Sequence, residues 1–145
     1  MIIEKRDELS AYLCSSSEEA ATLMSSSKKF SHDREFILLL DNKKGIIDNL
    51  LPAYLNAYIR YKENNTRTKS LGMEVLLFIS RTMNINKAIK EQGLRDSNAF
   101  ILFSNNDEAT KKFLSKLEIS VIKKYRLRLD KKTSGSIAIT DLAGN

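Results

Sequence analysis

Basic side chains carry most of the chemistry on offer in this chain. Residues 111–132 hold nine of them (Lys111, Lys112, Lys116, Lys123, Lys124, Arg126, Arg128, Lys131 and Lys132) against Glu118 and Asp130. The formal charge over all 145 residues is +6. Such a cluster attracts polyanions, because cations that neutralise phosphates release condensed counterions. RNA or DNA is a fair partner, and a solvated, solubilising face is the plain alternative. Groups for covalent or metal chemistry are scarce. The one cysteine, Cys14, leaves no internal disulfide or Cys-rich zinc site and reads as a small buried residue. The one histidine, His32, lies in the polar run Ser31-His32-Asp33-Arg34 and reads as a surface turn residue. Carboxylates pair at Glu18-Glu19, Asp33/Glu35 and Asp107-Glu108, and the first and last of these suit helix starts. The five glycines are dispersed, so no GxGxxG, P-loop or GxSxG is present. No catalytic residue, metal site or cofactor is expected. A binding module is the expectation, with an enzyme of unrecognised constellation as the outlying alternative.

The elements that must position these side chains can be read from apolar periodicity. Apolar and charged fractions of 42% and 29% are those of a folded soluble protein. One domain, 1–145, is long enough to bury about two-thirds of its unfolded surface. Apolar runs reach five residues, as at 36–40 and 75–79, whereas a membrane span needs about 20. The start, MIIEKRDELS, lacks the apolar core of a secretory signal, so the protein is expected to be cytoplasmic. A short strand is expected at 2–5 and a helix over 17–27, begun at Ser16 or Ser17 with acidic residues in its first turn. A buried strand follows at 36–40, stopped by the Asp41-Asn42 turn. From Ile46 or Ile47 to about Tyr61 the spacing predicts an amphipathic helix, with Pro52 tolerable if it starts near Asp48 or Asn49. Residues 71–79 form a helix apolar on nearly every side, hence one sandwiched between neighbours. After a break at 80–84, a helix over 85–92 turns Ile85, Ala88 and Ile89 inward and stops at Gly93. A second buried strand is expected at 99–103, then a helix capped by Asn106 or Asp107 and running to about Leu117. Residues 119–129 and 136–142 fit strand or helix equally. The fold class is α+β: a single helix-rich domain around a small mixed sheet.

The polar joint Ser80-Arg81-Thr82 between two short helices admits a sharp alternative. "SRTMNINKAIKEQGL", residues 80–94, has the Ser-Arg-Thr start and Lys-Glu-x-Gly-Leu end of many bacterial recognition helices. A helix-turn-helix DNA-binding regulator would turn Arg81, Lys87 and Lys90 to a major groove. The tight turn of that motif commonly uses a glycine just before the Ser-Arg-Thr, where this chain has Leu77-Phe78-Ile79. Its first helix also keeps a small residue for close approach, where Val75-Leu76-Leu77-Phe78 stands here.

A better match covers more of the chain. "TKSLGMEVLLFISRTMNINKAIKEQGLRD", residues 68–96, resembles the smallest core-subunit family of the KEOPS/EKC complex, the PRPK-binding protein (TPRKB) family. The resembling positions are Thr68-Lys69-Ser70, Met73-Glu74-Val75-Leu76, Ser80, Asn84-Ile85, Ala88-Ile89, Gly93 and Asp96. Upstream, "LLPAYLNAYIRY" is similar to the family's Ala-rich helix and "FILLLDNKKG" to the strand-turn before it. Downstream, "AFILFSNND" and "IKKYRLRL" look like its next strand and closing segment. Many members carry glycine or proline where this chain has Arg81, and "TSGSIAITDLAGN" has few helix formers where a terminal helix is common.

The resemblance implies a non-catalytic adaptor in the complex that makes threonylcarbamoyladenosine on tRNA. It would bind the complex's small atypical kinase/ATPase and help recruit tRNA through the single-stranded 3′ CCA end. Basic side chains suit phosphates of such an end. The candidates are Arg67 and Lys69 before the helix and Arg81 at the break, with Asn84 for a base edge or sugar. The plain alternative for Asn84 is a helix N-cap. Kinase docking needs an exposed apolar patch with a polar rim. Leu51, Tyr54, Leu55 and Tyr58 exceed what one helix face requires and are the candidates, with the core as their plain alternative.

Overall fold

The computed structural model describes residues 9–31, 34–63, 70–130 and 136–141. The strand expected at 2–5, His32, Asp33, Arg67, Lys69, Lys131 and Lys132 lie outside the described residues. Ten elements run β1 (Leu9–Ser15), α1 (Ala20–Lys29), β2 (Ile37–Asp41), α2 (Ile46–Lys62), α3 (Leu71–Ser80), α4 (Ile85–Gln92), β3 (Phe100–Ser104), α5 (Asp107–Lys116), β4 (Ser120–Asp130) and β5 (Ser136–Asp141). The fold class is α+β, as expected. The strands make one sheet in the order β2-β3-β1-β4-β5, and every pairing in it is antiparallel rather than mixed.

Both faces of the sheet are covered, which explains the unbroken apolar runs of β2 and β3. Side chains alternate along a strand, so a strand buried on both sides needs apolar residues at every position. Leu38, Leu40, Ile101 and Phe103 point into a core shared with α2, α3 and Ala88 of α4. Ile37, Leu39, Phe100 and Leu102 point the other way, to Leu23 of α1 and Phe113 of α5. At the centre lies β1, paired with β3 on one side and β4 on the other. The expected elements did not include it. Its sequence, LSAYLCS, holds only the short run Ala11 to Cys14 between serines, half of it small residues, and five of its seven positions are buried. A bulge between Leu13 and Cys14 shifts the register from Leu13↔Lys123 to Cys14↔Val121.

Several helix details depart from expectation. Helix α1 begins at Ala20, with Glu19 as a cap that makes no side-chain bond and no acidic residue in the first turn. Ser16 Oγ instead accepts the Glu18 N–H at 3.0 Å, closing a turn ahead of the helix. Helix α2 starts at Ile46, so Pro52 falls inside it rather than in its first turn. The proline forfeits the bond its N–H would give the Asp48 carbonyl, and burial of Leu50, Leu51, Ala53 and Tyr54 around it offsets that loss. Gly93 does end α4, but with φ −68° and ψ 158°, outside the left-handed region. Its role is steric: a Cβ there would lie 2.5 Å from the Ile89 carbonyl oxygen. Helix α3 is capped by Ser70, whose Oγ accepts the Met73 N–H at 3.4 Å. Gly72 lets its first turn press onto the Phe36 side chain, and a Cβ would meet the Phe36 Cβ at 2.8 Å.

Candidate nucleic-acid and partner-binding surface

The joint between α3 and α4 is closed by its own polar side chains. Ser80 Oγ donates back to the carbonyls of Leu76 (3.0 Å) and Leu77 (3.2 Å). Arg81 then takes the left-handed conformation, φ 56° and ψ 38°, and its N–H donates to the Leu77 carbonyl. The Thr82 N–H reaches the same carbonyl at 3.3 Å. Thr82 Oγ1 accepts the Asn84 N–H at 3.2 Å, and Asn84 Oδ1 accepts the Lys87 N–H at 3.1 Å. Threonine and asparagine therefore stand at this joint because each accepts a backbone N–H at the start of α4, while the Ser80 hydroxyl bonds back onto the last turn of α3. Asn84 is the N-cap of α4, the plainer of its two expected roles. Arg81 is different: among the described residues its guanidinium forms no hydrogen bond that closes the turn, and its backbone pays a strain that glycine would avoid.

Beside this joint a groove of about 260 Å³ is lined by Arg60, Glu74, Leu77, Phe78, Arg81, Thr82 and Met83. The Arg60 guanidinium carbon stands 5.7 Å from the centroid of the Phe78 ring, in cation–π contact. Met83, in the lining, is 57% exposed, so the rim is apolar as well as basic. Glu74 is buried at its base. Cations beside an apolar floor can hold a phosphate and a base or sugar face together. Of the four expected RNA contacts, Arg81 lines this groove and Asn84 lies in the joint next to it. Arg60 and Phe78 were not among the expected residues, and no local signal set Arg60 apart from the other polar residues of the amphipathic α2.

The docking patch expected on α2 does not form as an exposed surface. Leu51, Tyr54, Leu55 and Tyr58 are all core, none more than 9% exposed. Tyr54 stacks between Phe36 and Tyr58, with ring centroids 6.1 and 5.8 Å away. A helix that packs on both the sheet and a second helix needs a wider apolar arc than one resting on a single neighbour, and α2 touches α3 along its length. Those side chains are not surplus. The large apolar residues left at the surface, among the described ones, are Ile59, Met83, Val121 and Ile122.

The basic cluster divides between two elements. Lys111, Lys112 and Lys116 lie exposed on α5, while Lys123 and Lys124 lie half-buried on β4 over the rings of Tyr125 and Tyr12, at 5.1 and 5.4 Å. Cys14 is fully buried, and burial pushes its thiol up from 9.0 to about 12. Asp107 and Glu108 occupy the first turn of α5, which Asn106 caps through the Ala109 N–H. Among the described residues no group of three or more histidine, cysteine or carboxylate side chains could hold a metal ion. Nor is any helix there long and apolar enough to cross a membrane.

A family model described as kinase binding protein CGI-121 matches residues 42–143. The chain belongs to this family. The match runs from the turn after β2 through β5, and so takes in α2, the joint with its groove, and both parts of the basic cluster. No curated protein matches the chain. CGI-121 membership makes a kinase the class of protein partner for which this surface has to account.

Proposed function

We propose that this chain is a non-catalytic, cytoplasmic adaptor of the KEOPS complex. In this reading it binds and regulates the complex's small atypical kinase/ATPase and helps recruit tRNA by its 3′ CCA end for threonylcarbamoyladenosine synthesis. The observation that carries the tRNA part is the groove at the α3–α4 joint, where Arg60 and Arg81 flank the apolar floor of Leu77 and Phe78. Arg81 takes a phosphate, and the Phe78 ring with the Arg60 plane over it supports a base. Asn84 keeps its carboxamide oxygen on the Lys87 N–H and offers its NH₂ to a base or sugar edge. Arg67 and Lys69, outside the described residues, are the further proposed phosphate contacts. Family membership supports the kinase partner. With those α2 residues buried, the large apolar side chains available for docking it, among the described residues, are Met83 in the groove, Ile59 on α2, and Val121 with Ile122 on β4.

The test has two arms. Size-exclusion chromatography with light scattering on the chain mixed with the KEOPS kinase from the same genome should give a one-to-one complex. Fluorescence anisotropy on tRNA with and without its terminal CCA should give weaker binding to the trimmed form. No complex at tens of micromolar, together with tighter binding to duplex DNA than to tRNA, would overturn the proposal in favour of a DNA-binding regulator.

A further inference from the structure

Across the sheet from the groove, α1 and α5 cover the second core and meet in an open concavity of about 540 Å³. Phe30, Lys111, Lys112, Ser115 and Lys116 line it. Phe30 caps the C-terminal end of α1 and packs edge-on against Phe113, 5.4 Å between centroids at 74°. The Lys116 ammonium sits 6.0 Å over the Phe30 ring. Lys28 and Lys29, exposed in the last turn of α1, stand immediately before Phe30.

Ordinary helix electrostatics accounts for part of this. Lys28, Lys29 and Lys116 lie where cations offset the negative C-terminal ends of α1 and α5. Lys111 and Lys112 lie mid-helix and have no such reason. Glu108, one turn before them, is spaced to pair with either. Yet the ion pair seen among the described residues is Lys87–Glu91, at 4.0 Å, and involves none of these five lysines. Among the described residues no carboxylate lines the concavity. Positions 111, 112, 115 and 116 share one exposed helix face, so three ammonium groups and a hydroxyl look out together.

We infer that this α1–α5 face is a second RNA site, which binds the phosphodiester backbone of a double-helical RNA stem. Lysine ammonium groups act as point charges toward phosphate without reading sequence. Single-strand sites stack bases on a free aromatic face or on an arginine guanidinium plane, and this lining holds no arginine. Here the one aromatic of the lining, Phe30, is occupied on its face by Lys116 and packed against Phe113. A backbone-reading site therefore fits better than a base-stacking one. The hinge groove belongs to the face covered by α2, α3 and α4, so a short tail held there does not also cover this one. The stem contact is made by another part of the RNA. The inference rests on the tRNA-recruitment reading only in taking tRNA as the natural source of the stem.

The test compares wild type with K111A/K112A/K116A, whose exposed helical positions favour alanine and whose folding is checked by a circular-dichroism melt. The probes are a tRNA transcript lacking its CCA end and a short RNA hairpin without overhang, each titrated between 50 and 200 mM salt. Three lost phosphate contacts lower the log–log salt slope by about 2–3, so that wild type loses about 40-fold more affinity over this range than the variant. An unchanged slope and unchanged hairpin affinity would overturn the inference. So would an unchanged slope combined with lost co-elution with the kinase, which would make the face a protein contact. Trimming the CCA end from full tRNA tests the groove separately. If trimming has no effect while the triple variant loses hairpin binding, the tail reading fails and the stem site stands.

Discussion

Replacing Arg81 by glycine separates what the joint's backbone requires from what its side chain does. At φ 56° and ψ 38° a residue with a Cβ is strained by about 1–2 kcal/mol, and glycine is free of that strain. Glycine also loosens the unfolded chain, which takes back about 0.4–1 kcal/mol. R81G should therefore be more stable than wild type by about 0.5–1 kcal/mol, a Tm increase of about 2–3 °C for a chain of this size. R81A is the control: it removes the guanidinium and keeps the Cβ, so its stability should stay within about 0.5 kcal/mol of wild type. Urea unfolding of the three proteins, with m unchanged, reads the difference directly as a shift in midpoint. In RNA binding the two variants should behave alike, each lowering the salt slope on tail-bearing tRNA by about 0.7. R81G and R81A of equal stability would refute the strain argument. Both retaining the wild-type salt slope would refute the phosphate role. A position where the backbone favours glycine and the chain keeps arginine is one where stability has been given up for a side chain, and the pair of measurements tests both halves of that statement.

G72A should destabilise the protein by about 1–3 kcal/mol, because its methyl would lie 2.8 Å from the Phe36 Cβ in a packed core; a urea midpoint within error of wild type would contradict the close approach. N84A should lose about 1 kcal/mol with the α4 cap, while N84S, which keeps a capping oxygen, should recover most of it. If N84S also recovers tRNA affinity, the carboxamide makes no RNA contact. The Cys14 thiol should resist a disulfide-exchange reagent at pH 8 until the protein is unfolded by denaturant, and prompt labelling of the native protein would show the site to be open. The same thiol sets a sign for pH dependence. Below about pH 9 it is protonated in both folded and unfolded chains. Between 9.0 and about 12 the unfolded chain releases the proton and the folded one holds it, so the Cys14 contribution to stability falls as pH rises through that window.

Local signals in the sequence determined the elements whose physics is local. Helices α3 and α4, the asparagine caps at Asn84 and Asn106, and the stop at Gly93 were all legible, because capping and helical periodicity act within one or two turns. The runs of β2 and β3 were legible for a different reason: burial on both faces leaves no polar position to disguise a strand. The candidate site was half legible. Arg81 and Asn84 stood out by type at a break, whereas Arg60 and Phe78 join them only because α2 and α3 lie side by side.

Tertiary structure alone decided the rest. LSAYLCS has no pattern that demands a strand, yet it is the central one, since β3 and β4 supply its hydrogen bonds and the two helical layers bury its small side chains. Residues 119–129 were as compatible with helix as with strand until pairing to β1 and β5 settled them as β4, Ser120–Asp130. Leu51, Tyr54, Leu55 and Tyr58 looked like more than one face could use, and they are core because α2 has two neighbours. A sequence counts how many apolar residues an element carries. How many partners that element must face is a long-range property, and it alone fixes which of those residues are left for another molecule.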